Sequence, residues 1–279
     1  MSTNFIKTGV IGHPISHSKS PVIHNYWIDV YRCKGAYEAR DIAPDALAEG
    51  VQGLIDEGFA GFNVTIPHKQ AIISLCHEID DLAEKVGAVN MVEIRNGLLY
   101  GSNTDVYGFI ENLRAAARNF GFSWTIENGP ALVLGAGGAA RAALIGLLQE
   151  GVEEIILTNR TLEKAQALAA LDPSRIRVVD WAQRSEGLER INLAVNTTAL
   201  GMGDADGLEM DFSRANPDIL VHDIVYNPLY TQFLKDARAH DLRVLMGIGM
   251  LLYQAQPAFE AWYGVIPEVN AALEEKVLA

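Results

Sequence analysis

The sequence predicts an α/β protein of two domains, one with a mixed, mostly parallel sheet and one with a Rossmann-like, doubly wound sheet. Three observations carry this. From Ala131 onward, apolar runs of about five residues alternate with helical segments, the pattern of a parallel sheet covered on both faces. Ala131–Leu134 leads directly into Gly135-Ala136-Gly137-Gly138-Ala139-Ala140, a G-x-G-x-x-A turn between a strand and a helix. Asn96-Gly97, flanked by strand-like Val89–Arg95 and Leu98–Gly101, is a strong hairpin signal and puts an antiparallel pair in the first half.

Phe5–Ile11 reads as a buried strand that ends at Gly12 in a polar loop. Ser20-Pro21 reads as an N-cap followed by an N1 proline, opening a helix through about Arg32. Ala36–Ile42 is strand-like, and Pro44–Asp56 is a helix with Leu47, Val51, Leu54 and Ile55 on one face. Gly61–Ile66 reads as a strand and Pro67–Cys76 as a helix. Val106–Phe120 reads as one long helix closing near Gly121. After the glycine turn come a helix over Ala139–Gln149, the strand IILT, a helix over Leu162–Leu171, three further apolar strands, and a helix over Thr231–His240. RVLMG follows, then a helical tail from Met250 to Ala279. The expected division is residues 1–104 plus 247–279 for one domain and 105–246 for the other.

The chain has 279 residues, 49% of them hydrophobic, and a formal net charge of −13. That balance argues against a general nucleic-acid or anionic-membrane binder, which needs a basic face. Cys33 and Cys76 form neither a disulfide framework nor a metal-ligand pattern. No metal is expected. No stretch approaches the ~20 apolar residues of a membrane span, and the start has no signal-peptide pattern, so a cytoplasmic location is expected. A monomer or homodimer is expected.

The glycine turn has a specific physics. Gly135 permits a tight turn, Gly137 lets backbone approach a pyrophosphate, and Ala140 allows close helix–strand packing. Gly138 and Ala139 open the helix, whose free N–H groups attract the phosphate. The second strand of this domain ends in Thr158-Asn159-Arg160-Thr161, with Lys164 one helical turn on. A site for NAD places a carboxylate there to accept from the ribose 2′-OH. Two cations at that place instead neutralise a 2′-phosphate, so NADP is the expected cofactor.

Three segments of the first domain are unusually polar for strand ends: Gly12–Asn25 (GHPISHSKSPVIHN), Asn63–Lys69 (NVTIPHK) and Gly101–Asp105 (GSNTD). Ser18 and Ser20 alternate in a segment read as extended, so both hydroxyls point one way, at the start of a helix. Lys69 falls in the first turn of its expected helix, a poor place for a cation, and local rules broken without structural gain mark functional sites. Asp105 reads as the N-cap of the long helix.

With Ala88-Val89-Asn90, and with GAGGAARA, NRT, NTT, DIVYNP and GIGMLLYQA further on, these segments resemble the shikimate dehydrogenase family in the family's order along nearly the whole chain. The resemblance implies NADP-dependent reversible reduction of 3-dehydroshikimate to shikimate. It implies Lys69 and Asp105 as the catalytic pair. Ser18, Ser20 and Tyr226 match ligands of the substrate carboxylate. Thr65, Asn90 and Gln254 match ligands of its hydroxyls, with Asn63 a polar residue beside them. Gly135, Gly137, Gly138, Ala139, Asn159, Arg160, Thr161, Lys164, Thr197 and Gly247 are expected to contact the cofactor. Met91, Ser102, Val106 and Met246 depart from the usual family pattern, and at Met91, Val106 and Met246 they bear on the shape of the pocket. Alternative readings are a quinate/shikimate dehydrogenase, or a related enzyme with another substrate or cofactor preference. A non-catalytic ligand sensor has no use for a lysine–aspartate pair.

Overall fold

The computed structural model describes residues 5–120 and 129–279. The expected end of the long helix near Gly121 lies outside the described residues. The chain divides into two compact units, Met1–Asp105 with Leu252–Ala279, and Val106–Leu251.

The first unit is built on β1 (Ile6–Gly12), α1 (Ser20–Val30), β2 (Gly35–Asp41), α2 (Leu47–Asp56), β3 (Phe59–Val64), β4 (Glu78–Ile79), α3 (Asp81–Val86), β5 (Met91–Arg95) and β6 (Leu98–Ser102). Its sheet runs β2-β1-β3-β5-β6-β4. β1 pairs parallel with β2 and β3, β4 with β6, while β3–β5 and β5–β6 are antiparallel. The mixed character comes from the Asn96-Gly97 turn. Both residues have positive φ, 53° and 75°, the conformation a two-residue hairpin of matching twist requires.

Two helix expectations are corrected here. Pro44–Asp56 begins as a 3-10 turn over Pro44–Ala46 before α2. Pro67–Cys76 is not an α-helix: turns lead into a 3-10 segment at Ala71–Leu75. The reason is hydrogen bonding. The Lys69 carbonyl is taken by the Val89 N–H at 2.8 Å, so it is lost to an i→i−4 ladder, and the Ile73 N–H bonds to Gln70 instead. A short helix not among the expected elements, α3, is capped by Asp80, which accepts from the Ala83 N–H at 2.6 Å, and closed by Gly87 at φ 69°.

The second unit contains α4 (Asp105–Phe120), whose first residue still belongs to the first unit, then β7 (Ala131–Leu134), α5 (Gly138–Gln149), β8 (Ile155–Thr158), α6 (Leu162–Ala169), β9 (Ile176–Val179), β10 (Leu193–Asn196), β11 (Leu220–Asp223), α7 (Gln232–Ala239) and β12 (Arg243–Leu245). The order β12-β11-β10-β7-β8-β9 is parallel at every pairing, with β7 and β10 at the topological switch. The four inner strands, β7, β8, β10 and β11, are buried on both faces. In β7, Ala131 and Val133 join a core with Phe109, Leu113 and Leu144, while Leu132 and Leu134 face one with Phe212 and Phe233. Val106 belongs to this packing: α4 crosses α5 at Gly146, where an added β-carbon would lie 3.0 Å from Ile110 and 3.4 Å from Val106.

The tail forms α8 (Ile248–Tyr253), α9 (Ala255–Tyr263) and α10 (Ala271–Leu278). Within the first unit, α9 brings Phe259 and Trp262 against His24 and Trp27 of α1.

Buried histidines make folding acid-sensitive. Neither ring nitrogen of His24 has a hydrogen-bond partner, and burial drives its pKa down to about 3. His222 donates Nδ1–H to the Leu245 carbonyl at 3.0 Å, and burial lowers its pKa to about 4. The unfolded chain takes up these protons near the ordinary value of 6.5. Below that pH the unfolded state therefore binds more protons, and stability falls by up to about 1.4 kcal/mol per pH unit per histidine. Urea titrations between pH 6.5 and pH 4 are expected to show this fall, and His24→Phe should remove about half of it.

Candidate active site

Lys69 and Asp105 meet in the first unit. Lys69 Nζ donates to Asp105 Oδ2 at 2.7 Å, with the two side chains 31% and 19% exposed. Both ends are anchored. The Lys69 carbonyl accepts from Val89, which fixes its backbone beside the turn before β5. Asp105 is the first residue of α4, and its N–H donates to Asn103 Oδ1 at 3.0 Å. The helix thus starts at Asp105 itself, one residue earlier than expected, and its free N–H groups favour the carboxylate there.

Asn90 organises the pair. It is 2% exposed, and its Nδ2 donates to Asp105 Oδ1 at 2.8 Å and to Thr104 Oγ1 at 3.0 Å. Its Oδ1 accepts from the Thr104 N–H at 2.8 Å. Both carboxylate oxygens of Asp105 are therefore engaged, one by the ammonium and one by the amide. Asn103, buried, donates to the Ala88 carbonyl at 2.9 Å. Asn103 and Thr104 are supporting residues that the sequence motifs left unassigned. The signal was present in the run of three polar residues after a strand.

The serine segment differs from its expected form. Ser18 donates its N–H to the Ile15 carbonyl, so residues 15–18 form a turn rather than an extended run. Lys19 already has helical dihedrals and is the N-cap residue, which makes Ser20 the first helical residue and moves Pro21 to the second. Ser18 supplies the side-chain acceptor, taking the Ser20 N–H at 3.3 Å. The two serines are adjacent through that bond. Beside them, His13 Nδ1 pairs with Asp41 Oδ1 at 2.6 Å, and this hydrogen bond holds the Asp41 carboxyl below its usual range.

Thr65 follows β3, its N–H on the Ile11 carbonyl at 2.9 Å, and its methyl lies where a β-carbon on Gly12 would clash, 2.6 Å away. Gln254 is the N-cap residue of α9. Met91 is 4% exposed.

In the second unit, the remaining residues stand at the carboxyl ends of parallel strands. Gly135 follows β7, Asn159, Arg160 and Thr161 follow β8, Thr197 follows β10, Tyr226 follows β11 and Gly247 follows β12. Gly135 and Thr197 face each other at the switch point. Gly135 has φ 113°, and an added β-carbon would lie 2.6 Å from Thr197 Oγ1, so only glycine fits. Thr197 Oγ1 donates to the Leu134 carbonyl at 2.7 Å. Gly247 is equally constrained, its would-be β-carbon 2.2 Å from the Ile224 carbonyl oxygen. Met246 accepts from Asn112 Nδ2 through its carbonyl at 3.2 Å. Burial raises the Tyr226 phenol above its usual value.

The glycine turn fits a dinucleotide. An added β-carbon at Gly137 or Gly138 would meet nothing within 4 Å, which leaves backbone open to a phosphate at the start of α5. Ala139 lies in the first turn of that helix, and Ala140 is fully buried. Arg160 and Lys164 are exposed and have no ion-pair partner among the described residues, at the start of α6. Asn159 Nδ2 donates to the Thr161 carbonyl at 2.9 Å, which shapes the turn that carries them.

A parallel sheet with a glycine turn at its switch point, joined to a unit that presents an oriented lysine–carboxylate pair, defines a two-unit α/β protein of the dinucleotide-binding class. Residues 10–92 match the family model for the shikimate dehydrogenase substrate binding domain, and residues 114–201 match that for shikimate / quinate 5-dehydrogenase. The chain belongs to the shikimate dehydrogenase family. It is 46% identical over 272 residues to the shikimate dehydrogenase (NADP(+)) of Paramagnetospirillum magneticum, covering 97% of each chain. It superposes with a TM-score of 0.85, at 35% identity and 98% coverage of each chain, on the Thermus thermophilus shikimate 5-dehydrogenase in complex with NADP(H) and shikimate. A quinate dehydrogenase from Corynebacterium glutamicum in complex with NAD gives 0.88 at 30% identity, covering 99% of each chain.

The Asn90 network is also structural. Asn90→Leu removes the acceptor of a buried N–H at Thr104 and is expected to lower unfolding free energy by about 1–3 kcal/mol in urea titrations.

Proposed function

We propose that this chain catalyses the reversible, NADP-dependent reduction of 3-dehydroshikimate to shikimate, a step of aromatic amino-acid biosynthesis carried out in the cytoplasm. The observation that carries this reading is the Lys69–Asp105 bridge, oriented by Asn90, in a chain whose curated relatives are named shikimate dehydrogenase (NADP(+)).

NADPH, when bound, supplies the hydride that reduces the C3 ketone carbon. Lys69 stabilises the negative charge that develops on the ketone oxygen and donates the proton that completes the hydroxyl. In the oxidative direction Lys69 accepts that proton. Asp105 holds the lysine in line and accepts a hydrogen bond from the neighbouring substrate hydroxyl. Asn90 keeps Asp105 in place, since both of its N–H groups are engaged within the protein. Thr65, Asn90 and Gln254 bind hydroxyls, and Ser18, Ser20 and Tyr226 bind the carboxylate. Fixing the ring at both ends is what converts binding into rate, because the reacting carbon is held at one position.

For the cofactor, Gly135, Gly137, Gly138 and Ala139 would hold the pyrophosphate, Thr197 and Gly247 the strand-end positions, and Asn159, Arg160, Thr161 and Lys164 the 2′-phosphate. A second reading, quinate oxidation, is favoured by the shared shikimate / quinate family model and by the quinate dehydrogenase among the structural neighbours. Absorbance at about 340 nm, with shikimate or quinate and either NADP or NAD, separates the two.

Lys69→Ala is expected to lose at least about 100-fold in kcat with the KM for NADP unchanged, as for removal of a proton-transfer group. Near-normal turnover would exclude Lys69 from that role. Arg160→Ala with Lys164→Ala is expected to raise the KM for NADP about 10- to 100-fold and to leave that for NAD unchanged, since each cation makes a charge-assisted bond to the 2′-phosphate alone.

A further inference from the structure

Tyr37 lies on β2, the strand at the edge of the first unit's sheet, yet it is 3% exposed and held from three directions. Its backbone is clamped to α1 by Asn25: the Tyr37 N–H donates to Asn25 Oδ1 at 3.1 Å, and Asn25 Nδ2 donates to the Tyr37 carbonyl at 2.9 Å. Its ring stacks on His24 with centroids 4.1 Å apart and planes 2° from parallel. Its hydroxyl donates to Asn63 Oδ1 at 2.7 Å.

That last bond feeds the site. Asn63 is itself 6% exposed, and its Nδ2 donates to the Asn90 carbonyl at 3.1 Å. The Asn90 side chain in turn donates to Asp105, which holds Lys69. The bonds leave Asn63 one orientation, with its amide N–H group on Asn90 and its oxygen on the phenol. Burial raises the Tyr37 phenol well above its usual range, an effect that Ser20 offsets only in part. The phenol therefore stays protonated across the working range and keeps donating.

We propose that Tyr37 is a positioning residue: through Asn63 and Asn90 it sets the placement of Asp105 and Lys69. This rests on the dehydrogenase reading above. A tyrosine that merely filled the core would need only a partner for its hydroxyl. Here the partner is an asparagine whose remaining polar group leads into the reacting pair. A small misplacement of reacting groups is costly, about 100-fold for a shift near 1 Å.

The test compares wild type, Tyr37→Phe, Asn63→Val and the paired variant, with shikimate and NADP at saturation, NADP affinity by calorimetry, and melting temperature. Tyr37→Phe keeps the ring stack and removes only the hydroxyl. The expected result is a kcat loss of about 10- to 100-fold with NADP affinity within about twofold of wild type. The paired variant should be no slower than the slower single variant, because both substitutions break one chain of bonds. If Tyr37→Phe unfolds because Asn63 is left without a donor, the paired variant removes both polar partners and restores a satisfied core, and it must still show the loss. Turnover in Tyr37→Phe or in the paired variant within about twofold of wild type overturns the proposal, as do losses that simply multiply. Absence of turnover in the wild-type arm overturns the dehydrogenase reading, and the positioning role with it. Loss in Tyr37→Phe with Asn63→Val at wild-type turnover overturns the positioning role and leaves the dehydrogenase reading intact.

Discussion

The 2.7 Å contact between Lys69 and Asp105 is the constraint around which the first unit's polar residues are arranged. An exposed pair of this kind would contribute little, because long side chains lose entropy and water competes. Here the competition is reduced at both ends. Asp105 gives its second oxygen to a buried amide and sits at a helix start. Lys69 extends from a turn whose carbonyl is pinned to Val89. The geometry is preorganised before any substrate arrives, which is the condition under which a cation can stabilise developing charge without reorganisation.

The cost of this arrangement is visible in the local structure. An α-helix after Pro67 would have needed the Lys69 carbonyl for its own ladder. Giving that carbonyl to Val89 shortens the segment to a 3-10 turn but fixes the lysine. Asn90 commits its whole amide to Thr104 and Asp105 rather than to solvent. Polar networks of this kind are tolerated in a core only when each member is satisfied, and in this one they are.

In the second unit one topological fact does most of the placement. A sheet parallel at every pairing brings the ends of β7, β8, β10, β11 and β12 to one edge, so residues spread from Gly135 to Gly247 share it. Gly135 and Gly247 are required by close backbone approach, whereas Gly137 and Gly138 border open space. The same G-x-G-G stretch thus serves two different needs. Of the departures from the family pattern, Val106 packs on α5 at Gly146.

The sequence by itself determined the fold class, the hairpin at Asn96-Gly97, the strand–glycine–helix turn and the residue types at the strand ends. Those signals are local: periodicity, turn chemistry and steric permission act over a few residues. Tertiary structure decided which polar residues meet. The pairing of Lys69 with Asp105, 36 residues apart, the role of Asn90 as its holder, and the line from Tyr37 through Asn63 depend on sheet register between distant strands. It also decided that Ser18 rather than Ser20 supplies the side-chain acceptor at the start of α1, and that Pro67–Cys76 is not an α-helix. Hydrogen bonds made across the fold outweigh a propensity worth a few tenths of a kcal/mol per residue.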